Sequence, residues 1–194
     1  YYMSLEKKPT LIGQGTYGCV YNPSLHCNDK WDRKNINYDG KVSKLMTTRH
    51  AKIERKEFKA VSNIDPTNKY HLDTPTLCSP STNKIYFDNI VKNCPAVNGT
   101  PSADMSLLIM KDGGSDLKHF FKQDANTYFA TNSQNKSDVF LTNMHSLLMG
   151  LKLFRENGLI HHDLKPHNIL FNVKNQKFYY IDFGLMVKKE NLLK

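Results

Sequence analysis

Between Ile160 and Leu170 the chain reads Ile-His-His-Asp-Leu-Lys-Pro-His-Asn-Ile-Leu, and after one short connection comes Tyr180-Ile181-Asp182-Phe183-Gly184. Two carboxylates and an amide stand at fixed offsets between apolar, strand-like runs, and a lysine follows two residues after the first carboxylate. The pattern demands a fold that sets a loop beside the end of a strand. Asp163 and Asn168 can leave one loop on the same side while Asp182 ends a neighbouring strand, so three oxygen donors can converge on a hard cation such as Mg²⁺. With Lys165 beside them, this is an arrangement for holding metal and phosphate.

The chain's 194 residues give length for one domain, with room for two lobes and a real core. Hydrophobic residues make up 39%, the mean hydropathy is −0.56, and no apolar run approaches membrane-spanning length, so no membrane span is expected. Tyr1 to Thr10 is polar and lacks the apolar core of a secretory signal, which makes an intracellular, cytoplasmic location the expectation. Cys19, Cys27, Cys78 and Cys94 show neither C-x-x-C pairing nor a matching His spacing, and are read as free thiols. The net charge of +9 permits attraction to polyanions. The lysines are scattered, however, with their densest runs between Lys52 and Lys59 and at Lys188-Lys189, so a solvated surface is expected rather than a nucleic-acid footprint.

Near the start, Leu11-Ile12-Gly13-Gln14-Gly15-Thr16-Tyr17-Gly18-Cys19-Val20-Tyr21 contains a G-x-G-x-x-G. In a dinucleotide-binding fold these glycines would open a helix. Here they lead into Cys-Val-Tyr and then Asn22-Pro23, so the prediction is strand, glycine turn, strand. Glycines without a Cβ let backbone N–H groups approach phosphate oxygens, and Tyr17 can cap the turn; a plain hairpin is the bland alternative. Residues Asn22 to Gly40 read as an enlarged connection. Lys41 to Met46 alternates as a strand on which Lys44, but not Lys41, shares a face with Val42. Thr48 to Ile64 is a predicted helix that Asp65-Pro66 ends. Beyond it, Lys84 to Val91 is a strand candidate, and Leu107 to Met110 is a buried strand running into Lys111-Asp112-Gly113-Gly114. Ser115 to Gln123 can start a helix, Asp124 to Lys136 is a polar excursion, and Ser137 to Asn157 is a long amphipathic helix stopped by Gly158.

At Ile160–Leu170 and Tyr180–Gly184 the sequence resembles the eukaryotic-type protein kinases, whose catalytic loop reads H-R-D-L-x-x-x-N and whose metal loop reads D-F-G; His162 replaces the usual arginine. The resemblance implies an α+β, protein-kinase-like fold, with a strand-rich N-terminal lobe over 1–110 and a partial, helical C-terminal lobe over 111–194. It implies ATP and Mg²⁺ as cofactors and Ser/Thr hydroxyls of protein substrates as acceptors, the latter from the Asp-x-Lys pair. Nucleotide binding then falls to Ile12, Gly13, Gly15, Gly18 and Val20, and to Lys44, the lysine of the V-A-I-K pattern with Ser43 in place of isoleucine. The helix after it should supply a carboxylate to Lys44. Glu54 and Glu57 are the candidates, and Glu57 is preferred because Ala60, Val61 and Ile64 follow it at three, four and seven residues. Hinge backbone at Ile109, Met110 or Lys111, centred on Met110, would meet the adenine edge. Asp163 would accept or orient the hydroxyl proton, Lys165 would steady the transferred group, and Asn168 with Asp182 would hold metal. With His162 for arginine, control by loop phosphorylation is not expected. The run Gly13 to Cys27 is also similar to kinases of large double-stranded DNA viruses, which would place the chain in a host cytoplasm.

The resemblance covers Thr10 to Lys189, and after Gly184 only Leu185 to Lys194 remain, without an A-P-E segment or the later helices of a kinase. The expectation is either a piece of a longer chain or a pared-down kinase completed by a protein partner or by self-association. Two other classes compete: a small atypical kinase with an I-D-F-G-L run, and a catalytically impaired nucleotide-binding or scaffolding module. The full G-x-G-x-x-G with Lys165 argues against the first, and the complete set Lys44, Asp163, Asn168 and Asp182 against the second.

Overall fold

The glycine-spaced start folds into a hairpin. In the computed structural model, which describes residues 7–28, 36–82, 87–130 and 134–192, strand β1 (Thr10–Gly15) turns at Thr16-Tyr17 into β2 (Gly18–Asn22), with Gly15 opposite Gly18. Glycine at 18 is a packing requirement, because a Cβ there would stand 2.8 Å from the Leu45 carbonyl oxygen on the next strand. That strand, β3 (Lys41–Thr47), buries Val42, Ser43, Leu45 and Met46 and pairs with β2 on one side and β5 (Met105–Lys111) on the other. The short β4 (Thr76–Cys78) closes an antiparallel sheet of order β1-β2-β3-β5-β4.

Two compact units result. The first comprises Tyr1–Arg55 and Thr74–Asp112, the second Lys56–Asp73 and Gly113–Lys194. Helix α1 (Thr48–Ile64) therefore contributes its opening turns to the first unit and the rest to the second, and residues 56–73 group with the later part of the chain rather than with the strands that precede them. In the first unit Cys19, Tyr21, Leu25, Leu45, Leu107 and Ile109 pack with Phe87 and Ile90. Those last two belong to helix α2 (Phe87–Lys92), so the expected strand over Lys84 to Val91 is corrected: its residues from Phe87 on are helical, and Lys84 to Tyr86 lie outside the described residues. Phe87 and Ile90, three apart, share one buried face, and Asp88 in the first turn and Lys92 in the last complement the helix dipole.

The cysteines are also corrected. Cys19 is bonded to Cys94 and Cys27 to Cys78, and none is free. The partners lie 75 and 51 residues apart in the chain, so local spacing carries no sign of either bridge.

In the second unit helix α3 (Leu117–His119) runs through a π-helical turn, Phe120–Asp124, into α4 (Ala125–Ala130), so much of the expected polar excursion is helical. Its apolar residues supply the reason: Phe120, Ala125 and Tyr128 are buried with Phe140 and Leu147 of the long helix α5 (Gln134–Glu156) and with Phe171 and Phe178. Gly158, at φ +74°, ends α5 in the left-handed conformation that glycine adopts without penalty. Strands β6 (Ser115–Asp116), β8 (Ile169–Asn172) and β9 (Lys177–Tyr180) form a three-stranded sheet, while β7 (Leu159–Ile160) pairs with β10 (Val187–Lys188). Gly114, at φ +94°, enters β6 where an added Cβ would meet the backbone of Phe171. Among the described residues no helix is long and apolar enough to cross a membrane.

Candidate active site

The proposed nucleotide residues belong to the first unit. Gly13 faces Val20 in the β1–β2 ladder and Val20 faces Lys44 in the β2–β3 ladder, so one ladder row links the glycine turn to the lysine. Ile12 is exposed and Val20 is half-buried. Met110 stands opposite Val42 near the end of β5, with Ile109 buried before it and Lys111 exposed after it. Lys41, the rejected candidate, sits at the start of β3 opposite Lys111.

Lys44 takes its carboxylate from Glu54, not from Glu57. Its Nζ donates to Glu54 Oε1 at 2.9 Å and to Oε2 at 2.7 Å, and Glu54 is only 4% exposed. Helix phase explains the correction. Ala51, Glu54, Phe58 and Val61 form the buried stripe of α1, whereas Ile53 is exposed and Glu57 half-buried. Counting Phe58 into the apolar stripe would have turned the face toward Glu54.

The catalytic-loop residues belong to the second unit. The ladder pairing of Ile169 with Tyr180 ends just where the backbone of Asn168 takes over: its carbonyl accepts the Ile181 N–H at 3.0 Å, and its side-chain amide donates to the Asp163 backbone carbonyl at 2.9 Å and to Asp163 Oδ2 at 3.0 Å. Lys165 Nζ donates to the same Oδ2 at 2.5 Å. The lysine's bond holds the Asp163 carboxyl below its ordinary value, against the opposing effect of burial and with help from the lysine's charge and the Asn168 amide. Asp163 is therefore an ionised acceptor at neutral pH. Asn168 is 5% exposed, which makes its doubly bonded amide a fixed strut.

Asp182 follows Ile181 in a left-handed conformation, φ 59° and ψ 63°. Non-glycine residues held there cluster at ligand-binding sites, because only the surrounding structure pays for the geometry. Sequence reasoning missed what holds it. Phe183 is fully buried, its ring edge-on to Phe58 at 4.9 Å between centroids and tilted against His161 at 5.4 Å, and the His161 imidazole donates from Nε2 to the Ile181 carbonyl at 3.0 Å. The signal was present as aromatic and imidazole residues flanking both motifs. Oxygen donors from Asn168 and Asp182 suit Mg²⁺, which is commonly held through one or two carboxylates together with substrate phosphates and water.

The protein kinase domain family matches residues 81–192. The chain is 33% identical over 91 residues to the probable serine/threonine-protein kinase cdc7 of Dictyostelium discoideum, covering 46% of this chain and 8% of that protein. It is 27% identical over 178 residues to the probable serine/threonine-protein kinase fhkB of the same organism, covering 90% and 12%. Cyclin-dependent kinase B2-1 of Arabidopsis thaliana is 23% identical over 183 residues, covering 94% and 50%. The chain thus spans half or less of the length of these relatives, and they do not bear on the narrower viral likeness.

Proposed function

Because the chain belongs to the protein kinase domain family, we propose that it transfers the γ-phosphoryl group of ATP to serine or threonine hydroxyls of protein substrates. The observation that carries this reading is the network of Asp163, Lys165 and Asn168, tied through the Ile181 N–H to the residue before Asp182. Phosphoryl transfer asks little covalent chemistry of a protein and much positioning and charge neutralisation. Asp163, ionised at neutral pH, accepts or orients the proton of the attacking hydroxyl. Lys165, which donates to Asp163, neutralises the group in transit. Lys44, fixed by both oxygens of Glu54, presents its ammonium to nucleotide phosphates, and the glycine turn presents backbone N–H groups. Mg²⁺, held by Asn168 and Asp182, would supply electrostatic neutralisation of the phosphates.

Leu141 and Leu148, one heptad apart on α5 and 61% and 59% exposed, support the expectation of self-association at this helix. Light scattering reads it, and a monodisperse monomer overturns it. The kinase reading itself is tested by Mg²⁺-dependent autophosphorylation or peptide phosphorylation by the purified protein. Activity that the Asp163→Asn variant retains in full would refute it.

A further inference from the structure

A buried polar chain lies behind Phe183, in residues that neither motif includes. The Asp65 carboxylate accepts the backbone N–H of Tyr70 at 2.8 Å and of Lys69 at 3.1 Å, and faces His71 Nδ1 at 2.9 Å; His71 Nε2 lies 2.8 Å from the Ser62 hydroxyl on α1. Burial raises the Asp65 pKa, but the bonds from Tyr70, His71 and Lys69 outweigh it and hold the carboxyl below its ordinary value. An ionised Asp65 can only accept, so His71 Nδ1 is the donor to it, and the Ser62 hydroxyl lies within hydrogen-bond reach of Nε2. The Ser-His-Asp connectivity is that of a hydrolase triad, yet His71 is 0% exposed and Asp65 3%, so no substrate reaches the imidazole. What these residues do touch is β9, whose last residue, Tyr180, stands two before Asp182. Tyr180 N–H donates to the Tyr70 carbonyl at 2.8 Å, His71 forms a parallel bridge with Tyr180, and the His71 ring meets Phe183 edge-on at 6.5 Å. Phe58, on the same helix as Ser62, also meets Phe183 edge-on, at 4.9 Å between centroids.

We propose that Ser62, His71 and Asp65 form a positioning latch, which fixes the end of α1 to β9 and thereby holds Asp182 in its left-handed, metal-binding conformation. The latch acts through Tyr180 and Phe183, so its loss raises the Mg²⁺ requirement while leaving contacts to the nucleotide alone in place. This rests on the kinase reading only for the identity of the metal.

The test uses the purified protein with Ser62→Ala, His71→Gln and the hydroxyl-keeping Ser62→Thr. Melting temperature is followed while Mg²⁺ is titrated at fixed ATP and, separately, while ATP is titrated without Mg²⁺. The expected result is a rise of about tenfold in the half-saturating Mg²⁺ for Ser62→Ala and His71→Gln, the low end for residues that support metal ligands, with ATP-only binding unchanged and Ser62→Thr restored. Equal losses in both titrations, or an unchanged Mg²⁺ requirement, overturn the latch. Should the parent protein itself show no Mg²⁺–ATP response, the kinase reading fails, and amide exchange decides the latch alone: Tyr180 N–H must exchange about tenfold faster in Ser62→Ala and return to the parent rate in Ser62→Thr. Unchanged exchange in Ser62→Ala rejects it.

Discussion

Lys44 Nζ lies 2.9 and 2.7 Å from the two carboxylate oxygens of Glu54, with 12% and 6% of the two side chains exposed. A charge-assisted pair this sheltered fixes the lysine more firmly than a surface ion pair does. Glu54→Gln removes a bond worth about 1.5–3 kcal/mol, and should lower phosphoryl transfer roughly tenfold or more and shrink the ATP-induced rise in melting temperature. Glu57→Gln should leave both unchanged. Equal losses in the two variants would remove the special role given to Glu54.

Asp163→Asn separates binding from chemistry. It keeps an oxygen for the Asn168 amide but loses the charge that Lys165 faces, so the nucleotide-induced stabilisation should persist while transfer falls by about 10² or more. Single-turnover phosphorylation beside a thermal-shift titration measures both quantities on one preparation.

Asp65 predicts the direction of an acid transition. Its folded-state pKa is below the unfolded value, so its contribution is fully present above the unfolded carboxylate value, about 3.9, and is lost as pH falls through the folded one. The parent protein should lose stability on acidification more steeply than Asp65→Asn, which has no such proton to take up. Urea midpoints between neutral pH and pH 3 give the two slopes, and parallel slopes would mean that Asp65 is not the group concerned.

Reduction should loosen the first unit selectively. Bridges closing segments of 75 and 51 residues would each contribute about 4–4.5 kcal/mol in the chain-entropy view. Because one loop is nested in the other, their sum is smaller than two independent bridges would give. A strong reductant should lower the melting temperature and weaken ATP binding. Exchange at β8 and β9 should change less than at β2. Uniform loosening of both units would argue against a local effect of the bridges.

Much of the site was legible because its determinants are local. The glycine turn between two strands, the strand that carries Lys44 and the loop that holds Asp163, Lys165 and Asn168 each lie in one short stretch and each forms, although β3 buries Ser43 and Leu45 as well as Val42 and so does not alternate. The failures share a different physics. Glu57 was preferred from the apolar residues downstream of it, but Phe58, the largest side chain at the seam, turns the helix so that Glu54 faces inward. The disulfides join residues remote in sequence, and Ser62, Asp65 and His71 meet only because the loop after α1 folds back on itself. Asp65 was read merely as the residue that stops a helix before proline, and nothing in its neighbours announces an imidazole six residues on.

The division of the chain also governs how it can be taken apart. The polypeptide passes between the units at 55/56, at 73/74 and at 112/113, with the first crossing inside α1. Neither unit is one continuous stretch, so a single cut or a single genetic crossover cannot exchange one of them for the equivalent part of a relative. A chimaera joined at residue 112 would inherit Phe58, Tyr70 and His71 from one parent and Phe183, Tyr180 and Phe154 from the other, which makes the seam of the second unit's core the place where such hybrids succeed or fail.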